Sequence, residues 1–214
     1  RKAVAMNFPG APSDHPDVRS GRIGVLLVNL GSPDAPEAGA VRRYLAEFLS
    51  DRRVVELPAW IWQPILRGIV LTIRPRRSAE AYAKVWTDRG SPLAVITADQ
   101  AKALQERLSE TALVDHAMRY GRPAIGERLL AMQAAGCDRI LVAPLYPQYS
   151  AATTATVVDA VARQLGAMRW QPALRTLPAY YDDPLYIAAL AQSVERALAG
   201  LDFVPDQIVA SFHG

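Results

Sequence analysis

The residue in this chain best suited to move protons near neutral pH is His213, which ends the apolar run Val209-Ala210-Ser211-Phe212-His213-Gly214. Other apolar runs end in chemistry as well. Asn29 stands at the end of the run Ile23–Leu30, Arg119 and Tyr120 at the end of Leu113–Tyr120, and Tyr146, Gln148 and Tyr149 after Arg139–Pro144. If these runs are parallel strands, their carboxyl ends lie on one rim, where open α/β sheets bind ligands. Taken singly, Asn29 reads as a turn residue and Tyr146 as packing. Taken together, the set reads as a pocket with aromatic walls, one cation and one proton acceptor.

Several chemistries are excluded. Gly31-Ser32-Pro33 is not a GxGxxG fingerprint, and no P-loop, CxxC or HExxH pattern occurs. No Ser-His-Asp order can be defended. His116 reads as a structural histidine and His15 as a solvated one. The single cysteine, Cys137, rules out an internal disulfide framework and reads as a buried thiol in a reducing compartment. The net charge is +3, with basic clusters at Arg42-Arg43, Arg52-Arg53 and Arg74 to Arg77. Without a helix-turn-helix or RNA-binding signature these clusters do not argue for nucleic acid. A solvated loop, an anionic membrane or an acidic ligand stay open for them.

The elements that must position these residues follow from hydrophobic periodicity. Residues 1–21 read as a mobile polar leader. Ile23–Leu30 is a near-continuous apolar run that fits a strand covered on both faces. Val41, Tyr44, Leu45, Phe48 and Leu49 recur with helical spacing. Residues 57–77 are apolar and then basic, with Trp60 and Trp62; they are too short and too broken to span a membrane. They fit either a buried connector or an exposed apolar lip facing a membrane or a greasy ligand. Helices are expected from Ser91 to Ser109, from Ala124 to Gly136, from Thr153 or Thr154 to Leu165, and from Pro184 to Ala199. The last is expected to turn Leu185, Ile187, Leu190, Val194 and Leu198 inward. Strands are expected at 113–120, 139–144, 172–177 and 207–212. This alternation predicts an α/β fold with a right-handed, mostly parallel sheet flanked by helices. A first lobe over 22–170 and the start of a second over 171–214 are expected.

The motifs together resemble a known family. Gly24 to Pro33, Arg43-Tyr44-Leu45-Ala46-Glu47-Phe48-Leu49-Ser50-Asp51, Gly90-Ser91-Pro92, Met118-Arg119-Tyr120-Gly121, Pro144-Leu145-Tyr146-Pro147-Gln148-Tyr149-Ser150 and Ser211-Phe212-His213-Gly214 are similar, in order, to segments of ferrochelatases. Those enzymes insert ferrous iron into protoporphyrin to make protohaem. The resemblance implies two Rossmann-like, chelatase-type lobes around a porphyrin cleft. It also implies polypeptides running past Gly214, with a glutamate opposite the histidine, so this chain is expected to be the N-terminal part of such an enzyme.

Site roles follow from the same resemblance. His213 would take a pyrrole proton or ligate the incoming iron. Leu30 stands where the family has a methionine beside the porphyrin. Arg77 matches its propionate-binding arginine and Ser91 that arginine's hydroxyl partner. Arg119 and Tyr120 match the cleft wall, and Tyr146, with Trp60, Trp62 and Ile65, would grip the ring. No tightly bound cofactor is expected; Fe2+ is a substrate. Ala151 occupies a loop position where some relatives carry a cluster-binding cysteine, so no 2Fe–2S cluster is expected from this loop. The expected setting is the cytoplasm, with peripheral contact at the inner membrane through 57–77 left open. A coproporphyrin or cobalt chelatase, and a porphyrin-binding lobe without turnover, remain as alternatives.

Overall fold

A computed structural model describes residues 21–210. Strand β1 (Arg22–Asn29) is central because Val25, Leu26, Leu27 and Val28 are all buried. It pairs in parallel with β2 (Ala112–Met118) on one side and β3 (Cys137–Pro144) on the other. Strand β4 (Ala173–Thr176) pairs in parallel with β3, giving the order β2-β1-β3-β4.

Side chains alternate across β1. Leu26 and Val28 pack with Ile140 and Val142 against Leu129 and Met132 of α5 (Ile125–Ala134) and Val157 and Val161 of α6 (Thr156–Ala167). Val25 and Leu27 pack with Val114 and Ala143 against Ala101 of α4 (Pro92–Leu108). Burial on both faces is the reason β1 reads as an apolar run rather than an alternating one. Cys137 opens β3 inside the first of these cores, and burial raises its thiol pKa.

A third cluster sits beside the sheet. Val41, Tyr44 and Leu45 of α1 (Ala38–Leu49) pack against Leu71 and Ala79 of α3 (Leu71–Val85), with Leu66 and Tyr120. Between them, residues 57–77 form α2 (Ala59–Ile65), a π-helical turn (Leu66–Val70) and the start of α3. Of the two expectations for this stretch, the exposed lip is what the structure has. Trp60 is 79% exposed, and Ile69 and Ile73 are 56% exposed. Trp62 departs from the expectation that both tryptophans face outward. It packs on the third cluster and its Nε1 donates to the Leu49 carbonyl at 2.6 Å.

Other expectations also shift. Neither Thr153 nor Thr154 caps α6; a π-helical turn (Ala151–Ala155) precedes it, and Ser150 and Thr153 hydroxyls bond each other at 2.6 Å. The chain separates into two compact units, through Pro178 and from Ala179. Because β4 is hydrogen-bonded to β3, residues 171–178 belong to the first unit rather than to the start of a second lobe. In the second unit, α7 (Pro184–Ala199) begins as expected at Asp183, whose carboxylate accepts from the Leu185 and Tyr186 amides. Its expected inward residues are exposed instead, Leu185 at 82%. Residues 207–210 form no strand, since no other strand lies among the described residues of that unit to pair with them.

Candidate functional site

The parallel sheet places the carboxyl ends of its strands together, and the loops leaving them are tied to one another. The Arg119 amide donates to the Asn29 carbonyl at 2.7 Å and the Tyr120 amide to the Leu30 carbonyl at 2.9 Å. The Leu145 amide donates to the Val28 carbonyl at 2.7 Å. Gly31 has φ +99°, and a Cβ there would lie 1.9 Å from the Tyr120 carbonyl oxygen. Only glycine lets these two loops approach so closely. The rim therefore holds Leu30, Arg119, Tyr120 and Tyr146 in one neighbourhood, as the sequence predicts.

Asn29 turns back into the fold. Its amide donates to Thr97 Oγ1 at 3.0 Å, fixing the tip of β1 on α4. Ser91 is the N-cap residue of α4, buried, and makes no capping hydrogen bond with its side chain. Unbonded amides at a helix N-terminus favour a carboxylate or phosphate. Arg77 lies exposed on α3, and the structure does not bring it into contact with the rim residues. Gln148 and Tyr149 are exposed in the loop after β3. His213, with Ser211, Phe212 and Gly214, lies outside the described residues.

The centre of the rim is a buried polar network. Arg119 and Asp51 have side chains only 7% and 13% exposed and form an ion pair through Arg119 Nη2 and Asp51 Oδ2. The Tyr120 hydroxyl donates to the same Oδ2 at 3.0 Å. The Arg119 guanidinium lies over the Tyr120 ring, 4.2 Å from its centroid, a cation–π contact. Burial, chiefly, lifts the Tyr120 phenol to about 12, with Asp51 adding to the shift, so it stays a proton donor at any physiological pH. Phe48 meets Tyr120 edge to face, and burial also raises the phenols of Tyr44 and Tyr146.

Two buried polar atoms here have no hydrogen-bond partner among the described residues, Arg119 Nε and the Tyr146 hydroxyl. Buried groups are rarely left so, because desolvation costs about 1–3 kcal/mol each. Both belong to residues the sequence singles out; a third such atom, Arg128 Nε, belongs to a residue it does not. Asp51 is a member of the network that the sequence does not single out as a site residue. Its only sequence signal is its place at the end of the Phe48-Leu49-Ser50-Asp51 segment.

Two hollows lie elsewhere. One of about 280 Å3 is lined by Asp34, Arg43, Glu47, Arg122 and Glu127 among others, and none of the predicted site residues lines it. Its charges already satisfy one another through Arg43–Asp34 at 3.5 Å, Arg122–Glu127 at 2.7 Å and the Gly121 amide on Glu47 at 2.9 Å. The other, about 320 Å3 and apolar, lies by Ile23, Leu141 and Ala173, toward the amino ends of the strands and away from the rim.

Comparison with known proteins agrees with the motif reading. The ferrochelatase family model matches residues 22–214. The chain is similar to the ferrochelatase of Rhizobium etli, 56% identical over 207 residues, covering 95% of this chain and 60% of that protein. It is also similar to those of Rhizobium meliloti (54% over 208 residues; 95% and 61%) and Agrobacterium fabrum (48% over 215 residues; 99% and 62%). The chain thus spans about three fifths of the length of the curated relatives it matches.

Proposed function

The chain belongs to the ferrochelatase family, and from that premise we propose that it is the porphyrin-holding lobe of a protoporphyrin ferrochelatase. The observation that carries this reading is the buried Asp51–Arg119–Tyr120 network at the strand-end rim, with the unpartnered Arg119 Nε and Tyr146 hydroxyl beside it. Protoporphyrin and ferrous iron are its substrates. Peripheral membrane contact through the exposed lip at 57–77 belongs to the same proposal, as does a cytoplasmic setting. Among the described residues no helix is long and apolar enough to cross a membrane.

The chemistry sets what these residues must do. Metalation removes two pyrrole protons from the macrocycle and admits an ion to its centre. In a flat ring the nitrogen lone pairs point inward, so a puckered ring accepts the metal more readily. Distortion of that kind draws on binding energy from remote parts of the substrate. Leu30 and Tyr146, half-buried at the rim, supply apolar and aromatic surface against the ring, and Tyr120 backs them from the core, where it is fully buried. The phenol of Tyr120 stays protonated and the Arg119 charge is neutralised by Asp51, so this wall is neutral overall. Ser91 at the head of α4 and the exposed Arg77 are assigned to the propionates, since guanidinium and helix N-terminus both suit carboxylates. His213 is assigned as the acceptor of the pyrrole protons; its ordinary pKa of about 6.5 matches that task.

The test uses the full-length protein with protoporphyrin and Zn2+ as a fluorescent stand-in for iron. A shifted Soret band followed by growing zinc–porphyrin emission is expected. Binding without emission favours a porphyrin-binding lobe without turnover. Faster insertion into coproporphyrin, or of cobalt, moves the assignment to a related chelatase. No spectral change with any porphyrin contradicts the proposal.

A further inference from the structure

We propose that Asp51 is a positioning residue for this site: one carboxylate oxygen ties Arg119 to the fully buried Tyr120 and so fixes the orientation Arg119 presents to the porphyrin. The inference rests on the reading of those two residues as cleft wall. Asp51 lies 68 residues before Arg119 and leaves α1 in a tight turn. The turn is fixed by its own backbone, with the Val54 and Val55 amides donating to the Asp51 carbonyl at 3.0 and 2.9 Å. Asp51 Oδ1 accepts from the Arg53 amide at 2.9 Å, which leaves Oδ2 for Arg119 and for the Tyr120 hydroxyl at 3.0 Å.

The same turn is clamped from its other side. The Arg53 guanidinium grips both carboxylate oxygens of Asp159 in the first turn of α6, with Nη2 to Oδ1 at 3.1 Å. Two residues of one turn therefore tie the end of α1 to the tip of β2 and to the helix that follows the Tyr146 loop. A guanidinium has two long edges; Asp51 engages it through Nη2, and Nε remains buried and unpartnered. Without Asp51 the guanidinium loses its ion-pair partner and keeps the cation–π contact with the Tyr120 ring, which does not select between its edges.

The experiment is a double-mutant cycle in the full-length protein, reading kcat and KM for zinc insertion into protoporphyrin. Asp51→Asn is expected to lower kcat/KM about ten- to hundredfold, the scale of a misplacement of about 1 Å. Asp51→Glu, which keeps the charge, is expected to recover part of that loss. Once Arg119→Leu is present, Asp51→Asn is expected to add less than about twofold, since neighbours in one network are not additive. A wild-type rate for Asp51→Asn beside an impaired Arg119→Leu would overturn the proposal, as would losses that multiply. A wild-type rate for Arg119→Leu would remove both the wall reading and this inference. Should Asp51→Asn not fold, the same cycle is run with Asp51→Glu, where multiplicative losses again overturn it.

Discussion

At the scale of single residues, the unpartnered hydroxyl of Tyr146 makes a prediction that separates stability from binding. It bonds nothing among the described residues, so Tyr146→Phe should leave unfolding free energy in urea melts unchanged or raise it by up to about 1–3 kcal/mol. The same substitution should weaken porphyrin binding in a Soret titration; an unchanged titration would return Tyr146 to packing. Tyr120 makes a pH prediction. Its phenol is raised from 10.0 to about 12, so the native state holds that proton more tightly than the unfolded chain. This contribution to stability is full below pH 10.0 and is lost as pH climbs to about 12. Tyr120→Phe should flatten that alkaline loss, followed by tyrosinate absorbance alongside unfolding. The place of Arg119, Tyr120 and Tyr146 at the strand-end rim was legible because each follows an apolar run. The role of Asp51 was not legible, because its partners lie 68 and 69 residues away and only the folded chain brings them to it.

At the scale of elements, strand and helix periods were legible wherever the pattern was regular. The lip was not, and its burial pattern shows why. The buried positions Leu66, Leu71, Pro75 and Ala79 step by five residues and then by four. The five-residue step is the π-helical turn, which rotates the buried face and defeats a search at the ordinary 3.6-residue period. The exposed stripe of α7 was misread for another reason: helical spacing shows that a stripe exists, while what covers it depends on other elements. Two glycines test the rim's architecture. Gly31→Ala meets the Tyr120 carbonyl at 1.9 Å with φ at +99° and should cost at least about 3 kcal/mol in urea unfolding. Gly166→Ala in α6 meets nothing within 4 Å and should stabilise by about 0.5–1 kcal/mol. Similar values for the two would show that the two strand-end loops do not pack as described.

At the scale of the whole molecule, the lip carries apolar side chains on its outer surface beside Arg67, Arg74, Arg76 and Arg77, all exposed. If it touches membranes, Trp60→Ser with Ile69→Ser should lower cosedimentation with anionic vesicles at least about tenfold, the worth of removing two large apolar groups. Equal sedimentation of the variant would detach the lip from that role. The arrangement of one parallel sheet, with the carboxyl ends of its strands on one rim, was legible from strand–helix alternation alone. The division between the two units falls after Pro178, because β4 joins the sheet by backbone pairing with β3. The most direct test of the account is zinc insertion into protoporphyrin by the full-length protein, comparing wild type, His213→Ala and His116→Ala. The account predicts that His213→Ala binds porphyrin but forms no metalloporphyrin, while His116→Ala keeps the wild-type rate. Insertion at the wild-type rate by His213→Ala would contradict it.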